Sequence, residues 1–406
     1  MTAQAQQLGA ASYELEGVAA NWADSTDTFG TRVPVMGEPV IPQDIQSRIP
    51  VPITKQRLSE AVIGPRGPWK QSSFTVKVPL TGHGSATTGA LTATAVSTLL
   101  TNFFGAGSVL QVGTTVDTPA SATEFSLVGG TVEGNNLVRI GAPGDGRGGG
   151  QFAVVNSDST ITLLTALAAT PNAGDVVHAA INIYPSESSS VVASTRWLLQ
   201  TANGQWKARG CFPMTAALEG LGIGENPFIS LTYGVSRWES DVNETFPVVA
   251  AAEQLSHVLC AQGACFMQDV GTATRQTFAM RKWSLEIDQT VVPIMGQDGA
   301  DAYQTVVGAV RTGSAAKLSI TIDAEASGTA TLKDIYNSDT NQHVLMTLAT
   351  VAGRSLGFYF PNCLVLDHPT QEAMDGLNRQ TINLMPATGP DVTSDETAAA
   401  WKIGLA

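Results

Sequence analysis

The sequence predicts a mainly β protein, with two tandem β-sandwich or barrel units that each carry one short α-helix, and a small β domain inserted in the first. Charged residues make up only 14% of the chain, and 40 glycines and 20 prolines supply turns; ordinary soluble domains hold roughly 25% charged residues. Residues 73–78 alternate polar and apolar side chains, which is typical of a half-buried strand. A third observation, an internal repeat, predicts the tandem arrangement.

The repeat is a segment that reads Val-Pro-Val-Met-Gly at residues 33–37 and Val-Pro-Ile-Met-Gly at residues 292–296. A strand-like run precedes each copy, at residues 13–16 and 283–286. The same markers then follow in the same order: a proline-bearing arm, a turn with arginine and glycine (66–68 and 311–313), an alternating strand (73–78 and 318–322), a short helix, and a closing hairpin (219–221 and 375–377). Cys211 and Cys363 fall at matching places. Such ordered self-similarity is typical of duplicated units.

The helix of the first unit is predicted by apolar residues at helical spacing, Leu91, Ala95, Leu99 and Phe103, with Gly105 as its end. Thr329 opens the corresponding helix of the second unit. Residues 107–188 hold five or six short strand-like runs with no counterpart in the second unit, so they are interpreted as an insertion.

These patterns divide the chain into six segments. They are an N-terminal arm at 1–11, a first unit at 12–106 and 189–240, an inserted β domain at 107–188, a linker at 241–262, a second unit at 263–390, and a polar C-terminal tail at 391–406 with a hydrophobic end at Trp401 and Ile403.

Each unit is expected to project an arm. Residues 32–52 contain five prolines, and proline cannot donate to a central β-ladder, so this stretch is interpreted as a protruding hairpin. Residues 293–303 form the second arm. The candidate contact residues of the arms are Val33, Pro34, Met36, Pro293, Ile294 and Met295, of which the two methionines would serve as adaptable apolar anchors.

No motif in the sequence predicts an enzyme, a metal site or a cofactor. The Gly-x-Gly-x-x-Gly match at residues 144–149 precedes a strand-like run, whereas a dinucleotide site requires a helix there. The five histidines are scattered singly. The four cysteines form no Cys-x-x-Cys pair, and no bridge between Cys260 and Cys265 is expected.

Charge and hydropathy restrict the partners. A net charge of −13 argues against a nucleic-acid-binding groove, because such grooves neutralise phosphates with clustered lysine and arginine. Residues 1–7 lack the basic-then-apolar pattern of a signal peptide, and no apolar run reaches the ~18 residues of a membrane helix. We therefore expect a soluble protein, made in a reducing cytoplasm, with no membrane partner.

The order of strand, proline-bearing arm, turn, alternating strand, short helix and closing hairpin resembles the tail tube proteins of long-tailed bacteriophages. Residues 210–213 (Gly-Cys-Phe-Pro), the run from Phe228 to Trp238 and the arm at 292–303 carry the resemblance. It covers residues 12–105 with 190–240, and 265–390, but not the insertion. It implies two packed antiparallel sheets flanked by a helix, and stacked rings that form a tube for viral DNA.

The resemblance also implies a duplicated subunit in trimeric, pseudo-hexameric rings, with the insertion on the tube exterior. The expected location is the virion tail, and the host cytoplasm during assembly. The expected partners are further copies of the chain and the tape measure, tail terminator and distal tail proteins. DNA is expected only as cargo that does not adsorb to the wall.

Four acidic residues on the arms are the candidates for lining the lumen: Glu38, Asp44, Asp298 and Asp301. Carboxylates repel phosphates within a Debye length, ~8 Å at physiological salt. Their alternative interpretation is as ordinary solvated loop carboxylates. Two other functions stay open: a distal tail or baseplate ring of the same tail, and a carbohydrate-binding β-domain protein, which would need exposed aromatic pairs and a signal peptide.

Overall fold

The computed structural model describes the greater part of the chain. The described residues are 10–15, 31–41, 48–50, 66–69, 72–80, 94–105, 109–110, 114–119, 121, 125–128, 136–141, 150–155, 161–163, 170–178, 180–186, 190–202, 204–220, 227–240, 245–246, 264–269, 275–297, 304–323, 329–337, 340–348, 355–374, 377–388 and 398–405. Within these residues the protein is mainly β, as predicted, with two α-helices and a large antiparallel sheet.

The strands are numbered in chain order. They are β1 Ala10–Leu15, β2 Thr31–Val33, β3 Arg48–Pro50, β4 Arg66–Trp69, β5 Ser72–Pro79, β6 Val109–Leu110, β7 Thr114–Pro119, β8 Phe125–Leu127, β9 Leu137–Gly141, β10 Gly150–Val155, β11 Ile161–Leu163, β12 Val176–His178, β13 Ile181–Ile183, β14 Ser190–Val191, β15 Thr195–Thr201, β16 Gly204–Gly220, β17 Phe228–Ser240, β18 Ala264–Asp269, β19 Arg275–Gln297, β20 Gln304–Asp323, β21 Gln342–Leu348, β22 Leu356–Val365, β23 Thr370–Met374, β24 Leu377–Pro386 and β25 Lys402–Leu405. The helices are α1 Ala95–Phe104 and α2 Thr329–Asn337.

The first circuit of strands closes around an aromatic core. β1 pairs with β15, β15 with β16, β16 with β17, and β17 with β5. Residues 36–40 pair with the other edge of β5, and β2 pairs back onto β1. Phe74, Trp197 and Tyr233 pack inside, with ring centroids 5.1–5.6 Å apart. Strand β1 begins at the buried Ala10, so the ordered unit starts inside the segment predicted as a free arm.

Helix α1 packs its apolar face into this circuit. Its N-terminus carries a capping box, in which Thr94 Oγ1 accepts from Ser97 N–H at 3.1 Å and Ser97 Oγ accepts from Thr94 N–H at 2.8 Å. Of the predicted stripe, Leu99 and Phe103 are buried and Ala95 is half-buried, while Leu91 lies outside the described residues. The helix ends at Gly105, whose φ of 80° is the left-handed conformation that glycine adopts without strain.

The second circuit is built on a long hairpin. β19 and β20 are antiparallel along 23 and 20 residues. β20 then pairs with β24, β24 with β22, β22 with β21, β21 with β18, and β18 closes on β19. Trp283 packs against Phe358 in its interior, at 4.9 Å between ring centroids.

Residues 114–178 contribute a separate six-stranded sheet in the order β11-β10-β9-β12-β7-β8. The strands on either side of it, β6 and β13, pair with each other and belong to the large sheet instead. Leu137 and Val154 of the small sheet pack with Phe266, Leu345 and Tyr359 of the second circuit. The inserted sheet is therefore held against the second half of the chain, although it interrupts the first.

The hydrophobic end of the predicted C-terminal tail forms a strand of the large sheet. β25 lies between β13 and β22 and pairs with both. Trp401 is buried against Phe104 of α1, at 4.7 Å between ring centroids. Lys402 is buried too, and its Nζ donates to Asn136 Oδ1 at 3.0 Å and lies 5.5 Å from the ring of Tyr184. This strand thus joins α1, the insertion and the second circuit.

Candidate assembly interface

One strand is shared by the two circuits. Residues 204–211 of β16 pair with β15, and residues 215–220 of the same strand pair with β19, from Thr215 opposite Asp288 to Gly220 opposite Trp283. The backbone ladder therefore runs without a break from β17 through β16 into β19 and β20. The chain thus contains a side-to-side joint between its two halves, made by strand pairing.

The distal part of the β19–β20 hairpin extends along the first half beyond this joint. Ser190 and Val191 of β14 lie opposite Arg311 and Val310, and Val192 N–H donates to the carbonyl of Ala309 at 3.0 Å. Val192, Phe212 and Ala309 form a small buried cluster. The β19–β20 hairpin is accordingly packed against the first half of the chain at residues 309–311, just outside the predicted arm at 293–303.

Arg311 fixes the hairpin to the end of α1. The side chain is 1% exposed; its Nε donates to Gln289 Oε1 at 2.8 Å and its Nη2 donates to the carbonyl of Phe103 at 2.8 Å. Gln289 Nε2 donates to the same carbonyl at 3.1 Å. Unpaired carbonyls and the negative end of the helix dipole favour a cation there.

Burial lowers the pKa of Arg311 to about 10, so the guanidinium remains charged at neutral pH. Its Nη1 lies against Gly105, where a Cβ atom would sit on any other residue. Gly105 is therefore required twice, for its left-handed backbone and for the space that the guanidinium fills. No local pattern in the sequence predicts this contact, because Arg311 and Phe103 are 208 residues apart.

The outer residues of the second arm are partly exposed. Val292 and Ile294 are 51% and 44% exposed, and Pro293 is half-buried opposite Ala309. Met295 pairs through its backbone with Val306. Val292 and Ile294 therefore leave apolar surface exposed on this strand.

In the first arm, the structure places one of the three predicted contact residues in the core. Val33 is 1% exposed and belongs to the core, so it is unavailable to a neighbouring ring. Pro34 is half-buried, and Met36 is 39% exposed while its N–H donates to the carbonyl of Lys77 at 2.8 Å. Val33 was misjudged because it shares the apolar character of its neighbours but points inward from β2, opposite Ala11.

The two Val-Pro-x-Met-Gly segments also differ in their pairing. Val33 lies on β2 beside β1, and Val40, just beyond the first segment, lies opposite Thr75 of β5. The second segment lies near the far end of β19, where Val292 pairs with Val310 and Gly296 with Thr305. The motif that first indicated the repeat therefore occupies two different places along the arms.

Of the four predicted lumen acids, only Glu38 lies among the described residues. It is exposed, and its Oε1 accepts a hydrogen bond from the N–H of Ala202. Asp44, Asp298 and Asp301 lie outside the described residues.

In the part of the chain that the structure describes, no group of three or more His, Cys, Asp and Glu side chains is arranged to hold a metal ion. Burial raises the pKa of the Cys265 and Cys363 thiols, which makes both poor nucleophiles. The strand β10 directly follows the glycine-rich residues 144–149, so the helix that a dinucleotide site needs is not formed there. Neither described helix has the length and apolar character to cross a bilayer.

Comparison with known proteins gives no match: no protein-family model fits the chain, and no curated protein resembles it in sequence.

Proposed function

We propose that this protein is a structural subunit that polymerises as stacked rings into the tail tube of a long-tailed bacteriophage. The observation that carries the proposal is the order of strand partners in the two circuits. β1, β15, β16, β17 and β5 are joined in the same succession as β18, β21, β22, β24 and β20, and α1 and α2 follow β5 and β20 in turn.

The register of the two circuits supports the same reading. The β15–β16 ladder shifts between Thr195 and Trp197, and the β21–β22 ladder shifts between Gln342 and Val344. In each ladder the residue before the shift lies opposite a buried cysteine, Cys211 or Cys363 respectively. A shared irregularity beside a shared residue favours two descendants of one unit over two unrelated barrels.

When chains with two such units assemble, the contact between neighbouring chains would resemble the contact between β16 and β19 inside each chain. The β16–β19 contact is head-to-tail, since different strands of the two halves meet, and a head-to-tail contact closes into a ring if its rotation permits. Three chains then give six units, which is a trimeric ring with pseudo-six-fold symmetry.

The proposed work of the tube is physical. A net charge of −13 favours a wall that phosphates do not adsorb to, since adsorption needs lysine and arginine to displace counterions. Glu38 and the arm acids Asp44, Asp298 and Asp301 are the proposed lining. DNA would pass as cargo, and tape measure, tail terminator and distal tail proteins would meet the tube at its centre and ends.

Negative-stain electron microscopy of the purified protein tests this function. Long tubes of stacked rings are expected, and double-stranded DNA added at low salt should leave them undecorated. Single rings that never stack would favour a distal tail or baseplate component. A chain that remains monomeric at every concentration and salt would refute the assembly altogether.

A further inference from the structure

We infer that successive chains join by pairing two strand edges: residues 36–41 of one chain with β23 of the next. The inference rests on the proposed function and specifies its contact. Inside the chain, an edge of β16 in the first half pairs with an edge of β19 in the second half. The corresponding edges, β23 in the second half and residues 36–41 in the first, are open among the described residues.

The first open edge belongs to residues 36–41. One edge of this segment pairs with β5, where Val40 N–H donates to the carbonyl of Thr75 at 2.9 Å and Thr75 N–H donates back at 3.1 Å. In the second half, residues 283–288 of β19 pair in the same way with β20, with Ser284 opposite Ser319, but their other edge carries β16. No described strand covers the corresponding edge of residues 36–41.

Burial and strand pairing together show which residues correspond. Pro39 is buried, Val40 is 63% exposed and Ile41 is half-buried against the core. Across the chain, Trp283 is buried, Ser284 is half-buried and Leu285 is fully buried. In both triplets the middle residue is the most exposed of the three. Val40 lies opposite Thr75, which faces Thr232, three residues before the partner of Cys211. Ser284 lies opposite Ser319, which faces Asn383, three residues before the partner of Cys363, so Val40 takes the place of Ser284.

The second open edge belongs to β23. In the first half, residues 215–220 of β16 pair with β17 on one side and with β19 on the other. In the second half, β23 pairs with β24 on one side, and no other described strand pairs with it. β23 is thus the counterpart of the part of β16 that makes the internal joint.

The cysteines set the register of this second edge. Cys211 lies opposite Val235 and Cys363 lies opposite Pro386, which aligns β17 with β24. Counting back along both strands brings Phe228 level with Arg379. Their partners are Glu219 and Glu372, so position 372 takes the place of Glu219.

Glu219 lies opposite Ser284 within the chain, so position 372 of one chain is expected opposite Val40 of the next. Both backbone groups of Val40 already bond to Thr75, which makes this a non-hydrogen-bonded pair with Cα atoms about 4.5 Å apart. Pro39 offers no N–H to the new ladder, which leaves Ile41 N–H as the donor beside it. An exposed strand edge of this kind favours pairing with another chain.

Disulfide cross-linking tests the register. The test variant carries Val40→Cys and Glu372→Cys in a Cys260→Ser background. In the proposed register, the Cα atoms of these two cysteines lie within the ~4.4–6.8 Å that a disulfide needs. The other native cysteines are buried. The matched control, Val40→Cys with Thr370→Cys, is two residues out of register, about 7 Å along the strand.

After mild oxidation, non-reducing electrophoresis should show covalent dimers and trimers, but no larger species, because a ring contains three chains. These products should be at least about tenfold more abundant than in the control. Mixing the two single-cysteine variants should give dimers only, and neither variant alone should cross-link. Dimers from Val40→Cys alone would mean a two-fold contact and overturn the inference.

Microscopy of the same samples separates the two proposals. Rings or tubes that form without cross-links in the matched pair would refute this edge pairing and leave the tube function standing. Absence of any assembly, with the chain folded by circular dichroism, would refute both.

Discussion

The contact between Arg311 and the end of α1 allows a quantitative test of how the two halves are held together. Arg311→Ala removes two hydrogen bonds from a buried, charged donor, to Gln289 Oε1 and to the carbonyl of Phe103. Hydrogen bonds with a charged partner contribute about 1.5–3 kcal/mol each. Since Gln289 still donates to that carbonyl, only one acceptor is left without a partner. We expect the free energy of unfolding to fall by about 3–5 kcal/mol.

The assay is urea unfolding followed by tryptophan fluorescence, because Trp401 and Trp197 are buried in the region that α1 covers. The control is Lys317→Ala, an exposed residue of the same strand opposite Glu286, which should change stability by less than about 1 kcal/mol. Arg311→Ala within that same small range would refute the reasoning.

A double-mutant cycle separates the contact from general damage. In the native background, Gly105→Ala places a methyl group on the guanidinium of Arg311 and also strains a φ of 80°. In the Arg311→Ala background only the backbone strain of a left-handed alanine remains, about 1–2 kcal/mol. The cost of Gly105→Ala should therefore be smaller in the variant than in the native protein, and equal costs would show that the two residues do not touch.

Two further predictions concern buried titratable groups. Cys265 and Cys363 should resist a thiol reagent at pH 8 in the folded protein and react in urea, because burial raises the pKa of both thiols. Mass spectrometry of their peptides measures the labelling, and labelling of either cysteine in the folded protein would contradict this prediction. Burial lowers the pKa of His343 and outweighs a hydrogen bond to the carbonyl of Pro361, which raises it. The unfolded chain therefore binds the proton more readily than the folded one, and the stability of the fold decreases as the pH falls below about 6.5. His343→Gln should lose less stability than the native protein between pH 7.5 and 5.5, measured by urea midpoints; an equal loss would assign the acid sensitivity to other groups.

Local patterns predicted the elements well where one segment carries its own signal. The helical spacing of Ala95, Leu99 and Phe103 with Gly105 after it predicts α1, and the structure places the helix at Ala95–Phe104. The alternation at residues 73–78 lies within β5. In both cases the spacing of the apolar residues identifies the buried face, so the packing partner need not be known.

Sequence reasoning failed where the partner decides the outcome. The sequence predicts Trp401 and Ile403 as the hydrophobic end of a polar tail, but it does not indicate which strands this end joins. The structure buries Lys402 beside the amide of Asn136, 266 residues away. Likewise, the repeated Val-Pro-x-Met-Gly motif does not predict which residues pair with it, because the pairing depends on the neighbouring strand. The two copies therefore occupy different positions along their arms.

The contacts between the halves bear on how the chain behaves as one body. β16 belongs to both circuits, Arg311 of the second half holds the helix of the first, and β25 packs on α1 while pairing with β22. Opening either half alone would break a continuous ladder and leave the charge of Arg311 without the carbonyl that stabilises it, which is costly in a buried site. The chain should therefore resist separation at the middle. Under the proposed function, such a joint would suit an element of the tube wall, because the internal contact holds two units together before a neighbouring chain arrives. The proposed ring of three chains would then need three intermolecular joints to order six units.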